Sequence, residues 1–130
     1  MIIRLDMASE IPIYVQLRNT IVIGIGKGEL VPGEGLPTVR QMAEDLGVNT
    51  MTVNKAYGIL KSEGFIEIDR RHGAIINPQK DKFGVFREKA EEELLLLIAE
   101  ATVRGVEKSE FMELCEKVYE SMCTPKAELV

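Results

Sequence analysis

The sequence predicts an α+β chain, and three observations predict it. Apolar residues recur at helical spacing in three segments between Pro12 and Ser62, and only Gly47 and Val48 separate the second segment from the start of the third. After Gly64 the apolar residues alternate with polar ones for a short stretch, as in a strand. From Lys82 onward the helical spacing returns and persists. A helix, two helices meeting at a tight turn, and a hairpin form the order of a winged helix-turn-helix, assigned to residues 1–77. Residues 78–130 follow as a small all-α hairpin suited to dimerisation.

Taken in order, residues 2–5 predict a short strand. Pro12 suits the start of the first helix, where a missing amide proton costs nothing. Ile13, Tyr14, Leu17, Ile21 and Ile25 make its buried stripe, with Gln16, Arg18 and Asn19 off it, and Gly26 and Gly28 end it. A connector through Leu30, Pro32, Gly33 and Gly35 leads to Thr38. That threonine stands three residues ahead of Gln41, the spacing of a capping box, and opens a helix carrying Val39, Met42, Ala43 and Leu46 inward. Gly47 closes it, and Asn49 is the next N-cap. The helix over residues 50–62 buries Val53, Tyr57 and Leu60, with Ala56 permitting close approach. Beyond it Ile66 and Ile68 face one way and Glu67 and Asp69 the other. Arg70, Arg71, His72 and Gly73 form a basic loop, and apolar residues resume at Ala74.

Composition narrows the function. A chain of 130 residues holds one domain, or a small domain with an appendage. The longest glycine-free apolar run, residues 94–99, is far short of a membrane span, and Arg4 and Asp6 interrupt any leader pattern, so a cytoplasmic protein without a membrane partner is expected. Cys115 and Cys123 lie eight apart with no histidine nearby, which suits neither zinc nor a disulfide scaffold. Glu91, Glu92 and Glu93 diverge around a helix and read as a solvated face, so no metal is expected. His72 has no nucleophile or metal partner and no glycine loop cradles a phosphate; neither an enzyme nor a cofactor is indicated.

The net charge of −5 argues against a polyanionic partner until it is divided. Residues 1–77 carry eight Lys or Arg against nine Asp or Glu, a net of −1, whereas residues 78–130 carry eight against twelve, a net of −4. A nearly neutral head binds DNA if its few cations converge. The third helix opens with Asn49, Thr50, Thr52, Asn54 and Lys55, which are mostly short and polar, as a helix entering the major groove requires. Each has a plainer reading as well. Thr38 and Asn49 are sufficient as caps, Thr52 as a first-turn residue, Lys55 and Lys61 as solvated cations, and Arg40 as a surface ion pair. Arg70, Arg71 and His72 are equally an ordinary exposed hairpin. Met7, Met42 and Met51 need no redox role.

The ordered set Pro12, Tyr14, Gln16, Leu17, Gly28, Leu30, Pro32, Gly33, Leu36, Pro37, Thr38, Val39 and Arg40 continues with Ala43, Leu46, Gly47, Val48, Asn49, Thr52, Val53, Ala56 and Tyr57. Leu60, Gly64, Ile66 and Gly73 complete it. This pattern resembles the DNA-binding domain of GntR-family regulators. The resemblance assigns Arg40 to DNA, places Asn49, Thr50, Thr52 and Asn54 on the major-groove face, and puts Arg70, Arg71, His72 and Gly73 at the wing tip. Three departures stand out: Gly35 replaces a common Arg or Lys, Thr50 replaces a longer or cyclic residue, and at the wing Arg71 and Asp69 replace a glycine and a basic residue. Operator preference is therefore not transferable from relatives.

The tail resembles that of the YtrA subfamily, whose members lack a large effector domain, dimerise through a short helical appendage and are usually repressors. Phe83, Phe86, Ala90, Leu94, Leu97 and Ala101 form a seam widened by Leu95, Leu96 and Ile98. Gly105 breaks the run, and Ser109 is placed to cap a helix carrying Phe111 or Met112, Cys115, Val118, Tyr119 and Met122. Neither helix buries its face alone, so a homodimer is expected, reading an operator of two half-sites in double-stranded DNA. The expected function is a sequence-specific DNA-binding transcriptional regulator, a dimeric repressor. The alternatives are a non-catalytic protein-interaction module built on a winged helix, or an activator. No small-molecule effector is identified.

Overall fold

Pro12, at φ −54° and ψ 145°, turns the chain into α1 (Ile13–Gly26), the first helix of a computed structural model that describes residues 3–78 and 84–127, with side chains as far as Met122. The chain divides into two compact units, Met1–Pro78 and Gln79–Val130. In the first, Leu17 and Ile21 of α1 are fully buried, with Tyr14 and Ile25 packed beside them. The strand expected over residues 2–5 does not form among the described residues. Ile3 and Leu5 lie on the core, but their backbone has no ladder to join. Gln16 instead holds this segment down: its Oε1 accepts from the Asp6 amide at 2.8 Å, and its Nε2 donates to the carbonyls of Asp6 at 3.0 Å and Ile11 at 2.8 Å.

The Thr38 hydroxyl oxygen caps α2 (Val39–Leu46) by accepting from the Gln41 amide at 3.1 Å. The capping box is only half made, because the Gln41 side chain donates forward to Asp45 Oδ1 at 2.8 Å. Gly47 then takes φ +69°, a left-handed conformation that glycine adopts without a side-chain clash. Two residues later Asn49 Oδ1 accepts from the Thr52 amide at 2.9 Å and caps α3 (Thr50–Ser62). Val53, Ala56, Tyr57 and Leu60 fill the space between α3 and the two preceding helices, and burying each large side chain stabilises the head by roughly 1.5–3 kcal/mol.

Burial pushes the Tyr57 phenol up to about 12, so it remains a donor, and its hydroxyl bonds the Pro37 carbonyl at 2.8 Å. That bond ties α3 to the approach of α2. Tyr57→Phe is expected to cost about 1 kcal/mol and to lower the thermal midpoint of the head by roughly 4–8 °C, read by near-ultraviolet circular dichroism.

The wing is an antiparallel pair, β1 (Ile66–Asp69) and β2 (Gly73–Ile76), with Ile66 opposite Ile76 and Ile68 opposite Ala74. Ile66, Ala74 and Ile76 are buried. Ile68 shares their face yet is 44% exposed, because the outer half of the hairpin extends past the core. The connector before α2 adds an unforeseen third edge: Gly35 bridges Ile75, the Gly33 and Leu36 amides donate to the carbonyls of Ile76 and Ala74 at 2.8 Å, and the Ile76 amide donates to Glu34 at 2.9 Å. Wing and helix-turn-helix are thus joined through backbone.

A further clamp closes α1 on the end of α3. Arg18 donates through Nε and Nη2 to the two carboxylate oxygens of Glu63 at 2.9 and 3.1 Å, with its guanidinium 5.5 Å from the centroid of the Phe65 ring.

The second unit comprises α4 (Val85–Val103) and α5 (Lys108–Ala127). Phe83 and the predicted helix start at Lys82 lie outside the described residues, as does the side chain of Cys123. The helices meet at a corner where the Val106 amide donates to Ala101 at 2.9 Å and Ile98, Ala101, Thr102, Val106, Phe111 and Met112 line a hollow of about 330 Å³. Ser109 does not cap α5: the helix begins one residue earlier, at Lys108. Arg87–Glu91 at 3.1 Å and Lys89–Glu93 at 4.0 Å are exposed pairs four residues apart, which accounts for part of the glutamate run as a solvated face. No described helix is long and apolar enough to cross a membrane.

Candidate nucleic-acid interface

Two helix starts and one hairpin tip carry the side chains singled out in the head. At the start of α2, Arg40 is exposed and its guanidinium has no ion pair among the described residues. Thr38 and Asn49 have their oxygens engaged as caps; what each retains for a ligand is a donor, the Thr38 hydroxyl proton and the Asn49 amide. Thr50 and Asn54 are exposed and Thr52 is half-buried. Met51, left unassigned by helical spacing, is exposed between the two threonines. Lys55 places its ammonium 4.1 Å from the centroid of the Tyr14 ring, a cation–π contact worth about 0.5–1 kcal/mol at an exposed site. Its charge is therefore drawn toward α1.

The wing tip is organised by the residue that departs from the basic pattern. Asp69 Oδ2 pairs with His72 Nδ1 at 3.0 Å, and Asp69 Oδ1 accepts from the Arg71 amide at 2.9 Å. The His72 hydrogen bond, then the Arg71 one, hold the Asp69 carboxyl below the ordinary carboxylate range. Gly73 supplies the left-handed residue at φ +73°, so a glycine remains at this turn although Arg71 occupies an earlier glycine position. Arg70 and Arg71 are exposed and have no ion pair among the described residues. With Arg18 bound to Glu63 and Lys55 over Tyr14, Arg40, Arg70 and Arg71 are the arginines of this set open to an anion. Charge counting alone could not separate them, because Arg18 and Glu63 are 45 residues apart.

Gly35 is exposed beside β2, and a Cβ built there meets nothing nearer than the Ala74 carbonyl oxygen at 3.9 Å, an ordinary contact. A cation at this position fits the fold. Gly35→Arg is expected to tighten DNA binding by roughly 5–10-fold at physiological salt and to steepen the salt dependence by about one phosphate contact per head, measured by fluorescence anisotropy across a salt series.

In the tail, Phe86, Leu94, Leu97, Val118 and Tyr119 are exposed, while Ala90, Ala101, Cys115 and Met122 are half-buried. Among the described residues α4 buries no side chain at all.

Comparison with known proteins decides the family. Bacterial regulatory proteins of the gntR family match residues 13–76. The HTH-type transcriptional repressor YtrA of Bacillus subtilis is 34% identical over 119 residues, covering 89% of this chain and 91% of that protein. The chain belongs to the GntR family. It is a sequence-specific DNA-binding regulator of that family. Among solved structures, a transcriptional antiterminator from Listeria monocytogenes EGD-e superposes with a TM-score of 0.84 at 29% identity, covering 94% of this chain and 92% of that one. YtrA from Sulfolobus acidocaldarius, a GntR-family transcription factor, matches at 37% identity with a TM-score of 0.63, over 79% of this chain and 99% of its own. YtrA proteins thus stand among the relatives by sequence and by fold, and the order of winged helix followed by helices is that of this GntR group.

Proposed function

We propose that this GntR-family regulator is a homodimeric repressor whose two heads read the two half-sites of one operator. The observation that carries the proposal is α4: nineteen residues long, with Leu94, Leu95, Leu96, Leu97 and Ile98 exposed and no side chain buried within its own unit. Helices in proteins owe most of their stability to packing an apolar surface, and leucines left open on α4 favour association. A second copy covers such a face by two-fold symmetry, and the same symmetry matches a two-part operator. It also suits a head with few open cations, since two weak readers on one site bind far more tightly than either alone. The B. subtilis relative of matching length, YtrA, is a repressor, which supports repression here.

In this reading α3 enters the major groove with Thr50, Thr52 and Asn54 toward the base edges, Asn49 and Thr38 donate to backbone phosphate, and Arg40 grips phosphate at the start of α2. Arg70, Arg71, His72 and Gly73 reach the neighbouring groove, and Lys55 adds a phosphate contact on leaving Tyr14. The test combines selection of bound duplexes from a random library at physiological salt with light scattering of the free protein. The expected results are an enriched sequence of two related half-sites and a mass twice the 14.5 kDa of the chain. A monomer that enriches only single half-sites sinks the dimeric reading. Transcription from a promoter overlapping the operator is expected to rise when the protein is removed; a fall would make it an activator.

A further inference from the structure

Met51 is anomalous on an otherwise polar leading turn. At 77% exposure it is the most exposed of the large apolar side chains described in the head. It stands between Thr50 and Thr52, and its three- and four-residue spacing to Asn54 and Lys55 puts all three on one side of α3. Val53, Ala56, Tyr57 and Leu60 take the opposite side, so the core explains every apolar residue in the first two turns except this one. With the Lys55 ammonium held over Tyr14, Met51 is left beside Thr50 and Asn54 as a long, unbranched apolar side chain facing water. The major groove offers one apolar feature on a base pair, the C5-methyl group of thymine.

We infer that Met51 is a specificity-determining residue that packs on a thymine methyl, favouring a T·A pair over C·G at one position of each half-site. Burial of one such carbon corresponds to about fourfold in affinity. The inference rests on α3 being the groove helix, and the test separates the two.

In the selected operator each thymine is replaced in turn by deoxyuridine, which removes only the methyl group, and affinity is measured for the parent protein and for Met51→Ala. At one thymine the parent is expected to lose about fourfold per half-site, while Met51→Ala binds the thymine and uracil duplexes equally. Because Met51 is exposed, its replacement should leave the thermal midpoint unchanged, which excludes a folding effect. A parent indifferent to uracil at every position, or a Met51→Ala variant that keeps the uracil penalty, overturns the inference. Thr50→Ala and Asn54→Ala, assayed alongside, report on the groove helix itself. If both retain full affinity and unchanged preference, that reading fails and the inference with it. If they alter preference while uracil has no effect, only the Met51 inference fails.

Discussion

Replacing Leu94 and Leu97 together with Asp is expected to leave the protein monomeric and to weaken operator binding by roughly 10²–10⁴-fold. Both leucines lie on the open face of α4, at 45% and 52% exposure, where a second copy would have to pack. Burying two carboxylates in an apolar seam without partners costs several kcal/mol, more than the seam returns at those positions. The variant separates dimerisation from folding of the head, because the buried core lies wholly within residues 17–76. Far-ultraviolet helicity is expected to fall in part, since α4 loses its partner, while the head signal persists. Titration against duplexes carrying one or two half-sites completes the measurement: the parent should bind the double site far more tightly, and the variant should bind both alike. A variant that keeps twice the chain mass would move the seam elsewhere; a monomer that keeps the double-site advantage would remove the tail from operator recognition.

The parts of this fold legible in the sequence are those decided within a few residues. Thr38, Gly47 and Asn49 cap or turn the chain through bonds that span at most three positions or through a single backbone conformation, so their residue types reveal them. The buried stripe Val53, Ala56, Tyr57 and Leu60 is legible for the same reason, a repeat along one helix. What the sequence does not carry is the register between distant segments. The Arg18–Glu63 clamp, the Tyr57–Pro37 hydrogen bond and the Gly35–Ile75 bridge each depend on how elements far apart in sequence meet. The same gap explains the missing strand at residues 3–5: a short apolar stretch marks a segment that can pair but not whether an edge awaits it. Ser109 failed as a cap because α5 starts at Lys108, a shift too small for composition to resolve. At the candidate site, the pattern marked out the polar residues but passed over Met51, which falls off the buried stripe and whose exposure helical spacing does not measure. Asp69 was legible only as a lost cation, and its role in closing the wing turn required the positions of Arg71 and His72.

Arg40→Ala is expected to weaken operator binding by roughly 10–100-fold at physiological salt, without lowering the thermal midpoint. Stability should be spared because the guanidinium makes no ion pair among the described residues and α2 is held by Thr38 at its start and by Met42 and Ala43 in the core. The loss should be large for one surface residue because two of the other head cations are already committed, Arg18 to Glu63 and Lys55 to Tyr14. Salt dependence identifies what Arg40 grips. A phosphate contact predicts that the slope of log affinity against log salt falls by about one per head and that all operator variants weaken alike. A base contact predicts instead that preference relaxes at a single position while the slope changes little. Arg40→Lys sharpens the distinction, because lysine keeps the charge but loses the planar fork. Recovery of most of the affinity by lysine assigns the residue to phosphate as a point charge, whereas a lysine variant as weak as alanine assigns it to two-pronged recognition. An alanine variant that binds like the parent removes Arg40 from the interface and shifts the phosphate grip to other open cations of the head, the wing arginines first among them.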